Sequence, residues 1–205
     1  MINLTETEKR IFNGGERLIP RITHNDEERK RHYESYAFFL EQIKKDLPTR
    51  SVSILDLGCG VGWGCSLLST IPNSSVVGID NSFETIEYAK KNYPSTNIEY
   101  RVADLTTFIS IMNKYDYVVS RGVFEHLANG LELVSQVKFI RGFYMDVPYN
   151  EKPGNKHHLL TGLTEKDFKG SRNVKFFYED MNGTITPEIV EKPNMLMCVY
   201  SKRNL

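Results

Sequence analysis

A chain of 205 residues, 40% hydrophobic and 25% charged, has the length to bury one core and the polarity of an ordinary globular domain. Its 26 Lys+Arg match its 26 Asp+Glu, a formal net charge of zero; this balance weighs against a surface built for non-specific nucleic-acid binding, which runs on phosphate neutralisation, without excluding a local basic patch. Cys59, Cys65 and Cys198 fit neither a disulfide framework nor a zinc spacing, no stretch approaches the ~20 apolar residues of a membrane span, and no secretory signal pattern opens the chain, so a reduced, cytoplasmic protein is expected.

Residues 1–50 read as a helical leader. From Asn25 to Leu47 apolar residues fall at Tyr33, Tyr36, Ala37, Leu40, Ile43 and Leu47, mostly three or four apart, which predicts an amphipathic helix. Asn25-Asp26-Glu27-Glu28 suits its N-terminus and Pro48 marks its end. Residues 51–205 then alternate. Strand-type runs at Val52–Leu57, Ser75–Ile79, Ile98–Val102, Tyr115–Ser120 and Val137–Val147 are separated by helical segments at Gly62–Thr70, Ser82–Asn92, Thr106–Met112 and His126–Ser135. Such alternation implies parallel strands with right-handed crossovers. Two later strands, Val174–Glu179 and Met195–Ser201, flank a hairpin-like connection. The expected fold is an α/β three-layer sandwich, a seven-stranded, mostly parallel sheet with an antiparallel last strand.

Val52–Leu57 is nearly continuous in apolar residues, as a strand covered on both faces requires. It opens into Gly58-Cys59-Gly60-Val61-Gly62-Trp63-Gly64, a turn at the carboxyl end of a strand, where doubly wound sheets bind ligands. A dinucleotide fingerprint needs glycine at position 63 or 65, where Trp63 and Cys65 stand, and a phosphate loop needs a Gly-Lys-Ser/Thr close that is missing. The NAD-linked oxidoreductase therefore loses ground.

The segment resembles the class I S-adenosylmethionine (SAM)-dependent methyltransferase family, whose first motif Asp56, Gly58, Gly60 and Gly62 match position by position. Val76-Val77-Gly78-Ile79-Asp80 is then a second strand ending in the acid that holds the cofactor's ribose. Arg101-Val102-Ala103-Asp104-Leu105 is a third, ending beside the adenine. Tyr115–Ser120 with Arg121-Gly122-Val123-Phe124-Glu125-His126 matches the fourth strand and the V-x-E-H segment of small-molecule members. The resemblance covers Val52 to Val147 best, and it implies a methyltransferase using SAM, with S-adenosylhomocysteine as product. It places Asp56, Gly58, Cys59, Gly60, Gly62, Asp80, Asn81, Asp104, Leu105, Ser120 and Arg121 around the cofactor.

The acceptor side is read from the flanks. Gly15-Glu16-Arg17-Leu18-Ile19-Pro20 with His32, Tyr33 and Tyr36 resembles a leader lying over the cofactor in some bacterial members, which implies that Arg17 or Tyr33 lines the pocket. Asp146-Val147-Pro148-Tyr149 closes the fifth strand and leads, through a polar loop, to His157-His158-Leu159. Histidine exchanges protons near neutral pH, so His157 or, preferably, His158 is the expected general base, with apolar Leu159 indicating a chain descending to the core. Arg17, Tyr33, Glu125 and Tyr149 are the expected acceptor contacts. No metal is expected, because the two histidines are adjacent rather than at helical spacing and no carboxylate cluster stands beside them in sequence. A hydroxyl or amine of a small molecule (a sugar, glycan precursor or secondary metabolite) is the expected acceptor, with a homodimer as a possible assembly. A non-catalytic SAM-binding partner subunit remains an alternative. So does a nucleic-acid or protein N-methyltransferase, which the imperfect Asp146-Val147-Pro148-Tyr149 match invites.

Overall fold

The computed structural model describes residues 4–23, 25–170 and 173–202. Strand β1 (Val52–Leu57) is fully paired. It runs parallel to β2 (Ser74–Asp80) on one side and to β4 (Tyr115–Arg121) on the other. β3 (Ile98–Val102) extends the sheet beyond β2, and β5 (Phe139–Pro148) extends it beyond β4, all parallel. The last strand, β8 (Pro193–Ser201), is antiparallel both to β5 and to β6 (Asn173–Asp180). The order is β3-β2-β1-β4-β5-β8-β6-β7, an eight-stranded sheet among the described residues. It differs from the expected seven by β7 (Ile185–Thr186), a two-residue rung on the β6 edge. Two residues are too few for any alternation to register.

Helices cover both faces. On one face, α2 (Asp26–Lys45), α3 (Trp63–Leu68) and α4 (Phe83–Asn92) contribute Tyr36, Phe39, Ile43, Leu68 and Ile86 to a core against Ile54, Val76 and Tyr117. On the other, α5 (Leu105–Ile111), α6 (Gly130–Gln136) and α7 (Glu165–Phe168) set Ile109, Leu133, Val134 and Phe168 against Leu55, Val118 and Phe143. No described helix is long and apolar enough to cross a membrane.

Two helices depart from expectation. α1 (Glu6–Asn13) was not anticipated, although Thr5 and Glu8 form a capping box at its start. The helix expected over His126–Ser135 is divided into a 3-10 turn at Phe124–His126 and α6, which starts at Gly130. A Cβ at Gly130 would lie 2.1 Å from the Phe124 carbonyl oxygen, so the chain crosses itself there too closely for a continuous helix. That break swings Glu125 and His126 out of the helical register and toward the carboxyl ends of the strands.

Candidate active site

A cleft of about 1630 Å³ lies at those strand ends, between the glycine turn, the leader and the loop after β5. This exceeds the ~300–1,000 Å³ of a typical small-molecule site and leaves room for two ligands side by side. Gly58, Cys59, Gly60 and Gly64 line it, as do Asp80, Asn81, Leu105 and Arg121. Gly60 has φ +53° and open space where a Cβ would stand, so the backbone itself forms the wall there.

The turn is held by Asp80, 6% exposed at the end of β2. Its carboxylate accepts the Gly60 N–H at 3.2 Å and the Ser82 N–H at 2.9 Å. The leader closes over the same group: Arg17 donates to Asp80 at 3.1 Å and to the Asn81 side chain at 2.8 Å. Arg17 therefore lines the cleft as expected, tying residues 14–20 to the sheet.

Several other expected residues serve the fold instead. Asp56 is fully buried beneath the turn and is not in the cleft wall. It accepts from Tyr36 Oη at 3.2 Å and from Cys65 Sγ at 3.3 Å, so it locks α2 and α3 to β1. Gly62 faces Ala89 and Tyr100 rather than the cleft, at 2.8 Å from a built Cβ to each. Ser120 donates to the Leu57 carbonyl at 2.9 Å and clamps β4 to β1. Asp104 is exposed and caps α5 through the Thr107 N–H at 2.9 Å, while its neighbour Leu105 reaches the cleft. Tyr33 is 44% exposed and lies outside the cleft wall; His32 and Tyr36, four apart on one face of α2, take the place it was expected to fill. His32 stacks on Trp63 with ring centroids 5.5 Å apart. Tyr149 does line the cleft and packs edge-on against Tyr178.

Polar atoms in this wall lack hydrogen bonds, although Arg121 Nε lies 3.9 Å from the Asp146 carboxylate. His32 Nδ1, Arg121 Nε and Glu125 Oε2 are buried and make no hydrogen bond. Unsatisfied buried groups cost about 1–3 kcal/mol each, and three around one cleft mark where a ligand's polar groups belong. Burial raises the Glu125 carboxyl to about 8, which favours its protonated form near neutrality. Burial lowers His32 well below the ordinary histidine range.

Four buried carboxyls share this upward shift, with burial the leading cause: Glu125 at about 8, Asp56 and Glu179 each at about 7, and Asp146 in the same direction. A carboxyl whose folded pKa is raised binds more protons in the native state, so its stabilising contribution fades as pH rises through that value. The histidines lowered by burial, His32 and His126, oppose this only near the ordinary histidine pKa of about 6.5. The ligand-free protein should therefore lose thermal stability between about pH 7 and 8.5, by ~2–4 °C for each kcal/mol. A melting temperature flat or rising across that window, read by calorimetry, contradicts the assignment.

The opposite wall is built from distant segments. His158, on the loop after β5, has Nδ1 hydrogen-bonded to the Glu151 carboxylate and Nε2 3.0 Å from Glu16 Oε2 in the leader. Both nitrogens face carboxylates, and these partners raise its pKa against the opposing effect of burial. His158 is thus tied up between two carboxylates, with the Asn155 amide nitrogen also 3.3 Å from its Nε2, and is a less open base than expected. His126 is the better candidate: Nδ1 donates to the His157 carbonyl at 2.9 Å, which leaves Nε2 as a lone pair toward Glu16, 4.0 Å away. Burial lowers its pKa, which favours the neutral imidazole. His157 lines the cleft and fixes His126 through its main chain.

Two premises of the sequence reading also fail here. Leu159 is 61% exposed; the loop is anchored instead by its N–H and that of Leu160, which donate to the Glu125 carbonyl at 2.8 and 3.0 Å. Carboxylates do stand beside the histidines, since folding brings Glu16 and Glu151 to His126 and His158.

Residues 54–143 match the protein family described as a methyltransferase domain. A protein of Invertebrate iridescent virus 6 named putative methyltransferase 235L is 30% identical over 146 residues, covering 66% of this chain and 50% of that protein. A malonyl-acyl-carrier-protein O-methyltransferase of Halalkalibacterium halodurans is 29% identical over 104 residues, 48% of this chain and 38% of the relative. The chain thus spans half or less of the length of these curated relatives. Among solved structures, the plantazolicin methyltransferase BpumL, in complex with a triazolic desmethylPZN analog and SAH, superposes with TM-score 0.68 at 18% identity over 97% of this chain and 92% of that one. The N-terminal domain of EvdMO1, in the presence of SAH and D-fucose, gives TM-score 0.60 at 16% identity over 82% and 83%.

Proposed function

We propose that this chain, whose residues 54–143 match a methyltransferase domain, is a class I SAM-dependent methyltransferase that binds SAM at the glycine turn and transfers the methyl group to a hydroxyl or amine of a small molecule. The observation that carries the reading is the pairing of two unlike walls across one cleft. One wall is a backbone turn held by Asp80, with orphaned groups on Arg121, Glu125 and His32; the other is the Glu16–His126–His158–Glu151 cluster.

The first wall fits the cofactor. Asp80 is placed to accept from ribose hydroxyls, sharing its carboxylate with Arg17. Arg121, whose Nε is ion-paired with Asp146 at 3.9 Å but makes no hydrogen bond, suits a carboxylate, and Glu125 suits an ammonium whose charge would restore its ionised form. When bound, SAM supplies an electrophilic methyl on a sulfonium, open to in-line displacement. The protein's task is then to hold the acceptor atom behind that methyl and to take its proton. His126 Nε2 takes the proton, and the His157 carbonyl stabilises the imidazolium through Nδ1–H. The leader and the 151–158 loop close the cleft around the acceptor, which favours a small molecule over a duplex or a protein surface. The zero net charge points the same way.

Methyl-labelled SAM incubated with pools of hydroxyl- and amine-bearing metabolites should give labelled product with an equal yield of S-adenosylhomocysteine. S-adenosylhomocysteine only at the background rate with every pool would leave a cofactor binder and overturn the enzyme reading. His126→Ala should lower turnover ~100-fold or more, with SAM affinity within about twofold of the parent. Unchanged turnover removes His126 from the mechanism.

A further inference from the structure

The wall that faces the acceptor has a second capacity. Glu16, His126 and His158 each bring one donor atom to a common point, all within 4.8 Å of one another. The histidines are oriented in the manner of metal ligands. A ligating imidazole uses one nitrogen for the ion and donates the other N–H to a carbonyl or carboxylate, which fixes its tautomer and raises its basicity. His126 does this with the His157 carbonyl at 2.9 Å, and His158 with the Glu151 carboxylate. Both Nε2 atoms are thereby directed toward Glu16 Oε2, at 4.0 and 3.0 Å. The rings meet edge to face with centroids 4.8 Å apart, so neither blocks the other's lone pair.

A carboxyl beside the cluster, the one that would also meet the cofactor's ammonium, adds to the attraction for a cation. Glu125, 2% exposed, lies in the same cleft wall immediately before His126 with Oε2 unpartnered. A buried carboxyl with a free oxygen is suited to a metal-bound water or to the ion's charge. The third ligand has freedom to close the site, because the Glu16 side chain is 42% exposed and belongs to the leader, while Asn155 steers it with a 3.0 Å bond to Oε1.

We propose that Glu16, His126 and His158 bind one divalent transition-metal ion of the zinc class. Two imidazoles and one carboxylate suit zinc and its first-row neighbours, and three protein ligands leave a coordination position open to the cleft. An oxygen ligand, such as an acceptor hydroxyl or carboxylate, would occupy that position. With Glu16, His126 and His158 as its ligands, such an ion would supply Lewis acidity that makes a bound hydroxyl lose its proton more readily, and His126 would then serve as ligand rather than as base. The site stands on the cluster alone and does not depend on the methyl-transfer reading.

The test uses the full chain stripped with chelator and then titrated with Co²⁺ and Zn²⁺ in the absence of SAM, with metal content measured after desalting. The expected result is one ion per chain, Co²⁺ giving d–d bands without a thiolate charge-transfer band, and Zn²⁺ displacing it. Glu16→Gln and His126→Gln should each weaken binding at least ~10-fold, and Glu151→Gln, which leaves all three donors in place, about 10–100-fold. Circular dichroism and melting temperature confirm that each variant folds. No stoichiometric binding, or binding undiminished in a folded His126→Gln/His158→Gln double variant, overturns the proposal. Either outcome leaves the SAM-binding measurements untouched, so the two readings fail separately.

Discussion

Asp80→Ala should weaken SAM binding by at least ~100-fold, because it removes a carboxylate placed for two ribose hydroxyls and because charge-assisted hydrogen bonds contribute about 1.5–3 kcal/mol each. The same substitution frees the Gly60 N–H and the Ser82 N–H, at 3.2 and 2.9 Å from Asp80, and releases Arg17 from the sheet. Cofactor contact and turn geometry are thus lost together. Asp80→Asn separates the two in part, since its single amide oxygen can still accept from Ser82 and Arg17 while its NH2 cannot accept from Gly60 and it carries no charge for the ribose. The expected order of affinity, by calorimetry, is parent, then Asn, then Ala. Equal affinity in parent and Ala variant would falsify the placement of the cofactor on this turn.

Gly64→Ala should be strongly destabilising. A Cβ at Gly64 would lie 2.0 Å from the Tyr36 ring. Tyr36 is buried, and its hydroxyl donates to the buried Asp56 at 3.2 Å. Overpacking costs about 1–3 kcal/mol, and displacing Tyr36 leaves Asp56 without one of its two side-chain donors, for a further ~1–3 kcal/mol. The helix propensity gained, about 1 kcal/mol for Gly to Ala, does not offset the sum. A net loss near 3 kcal/mol corresponds to a fall of ~6–12 °C in melting temperature. A fall of under about 2 °C would show that α2 and α3 yield more easily than their packing implies.

The glycine turn connects these predictions, and the sequence made it visible at different depths. Gly58–Gly64 after an apolar strand, with acids closing the next two strands, placed the turn and its partner Asp80, because strand ends and glycines are local signals. The same residues were harder to divide by role. Asp56 and Gly62 match the family motif as well as Gly58 and Gly60 do, yet they face helices rather than the cleft. A motif records that a residue is needed, not which way it points. On α2, choosing Tyr33 over His32 was an error of one position, about 100° around the helix.

The acceptor wall was least legible for a physical reason. Glu16 and His158 meet across 142 positions of sequence, and His126 joins them only because Gly130 breaks a helix that periodicity extends through it. Neither the leader nor the loop after β5 carries a repeat from which such a meeting could be read. The exclusion of a metal rested on linear spacing, and the fold supplies the missing carboxylates from elsewhere.

The most direct test of the account is calorimetric titration of the parent protein with S-adenosylhomocysteine, SAM and NAD. One site per chain for the first two, and no heat with NAD, is the predicted result. Binding of NAD with no response to either sulfur compound would contradict the assignment of the glycine turn.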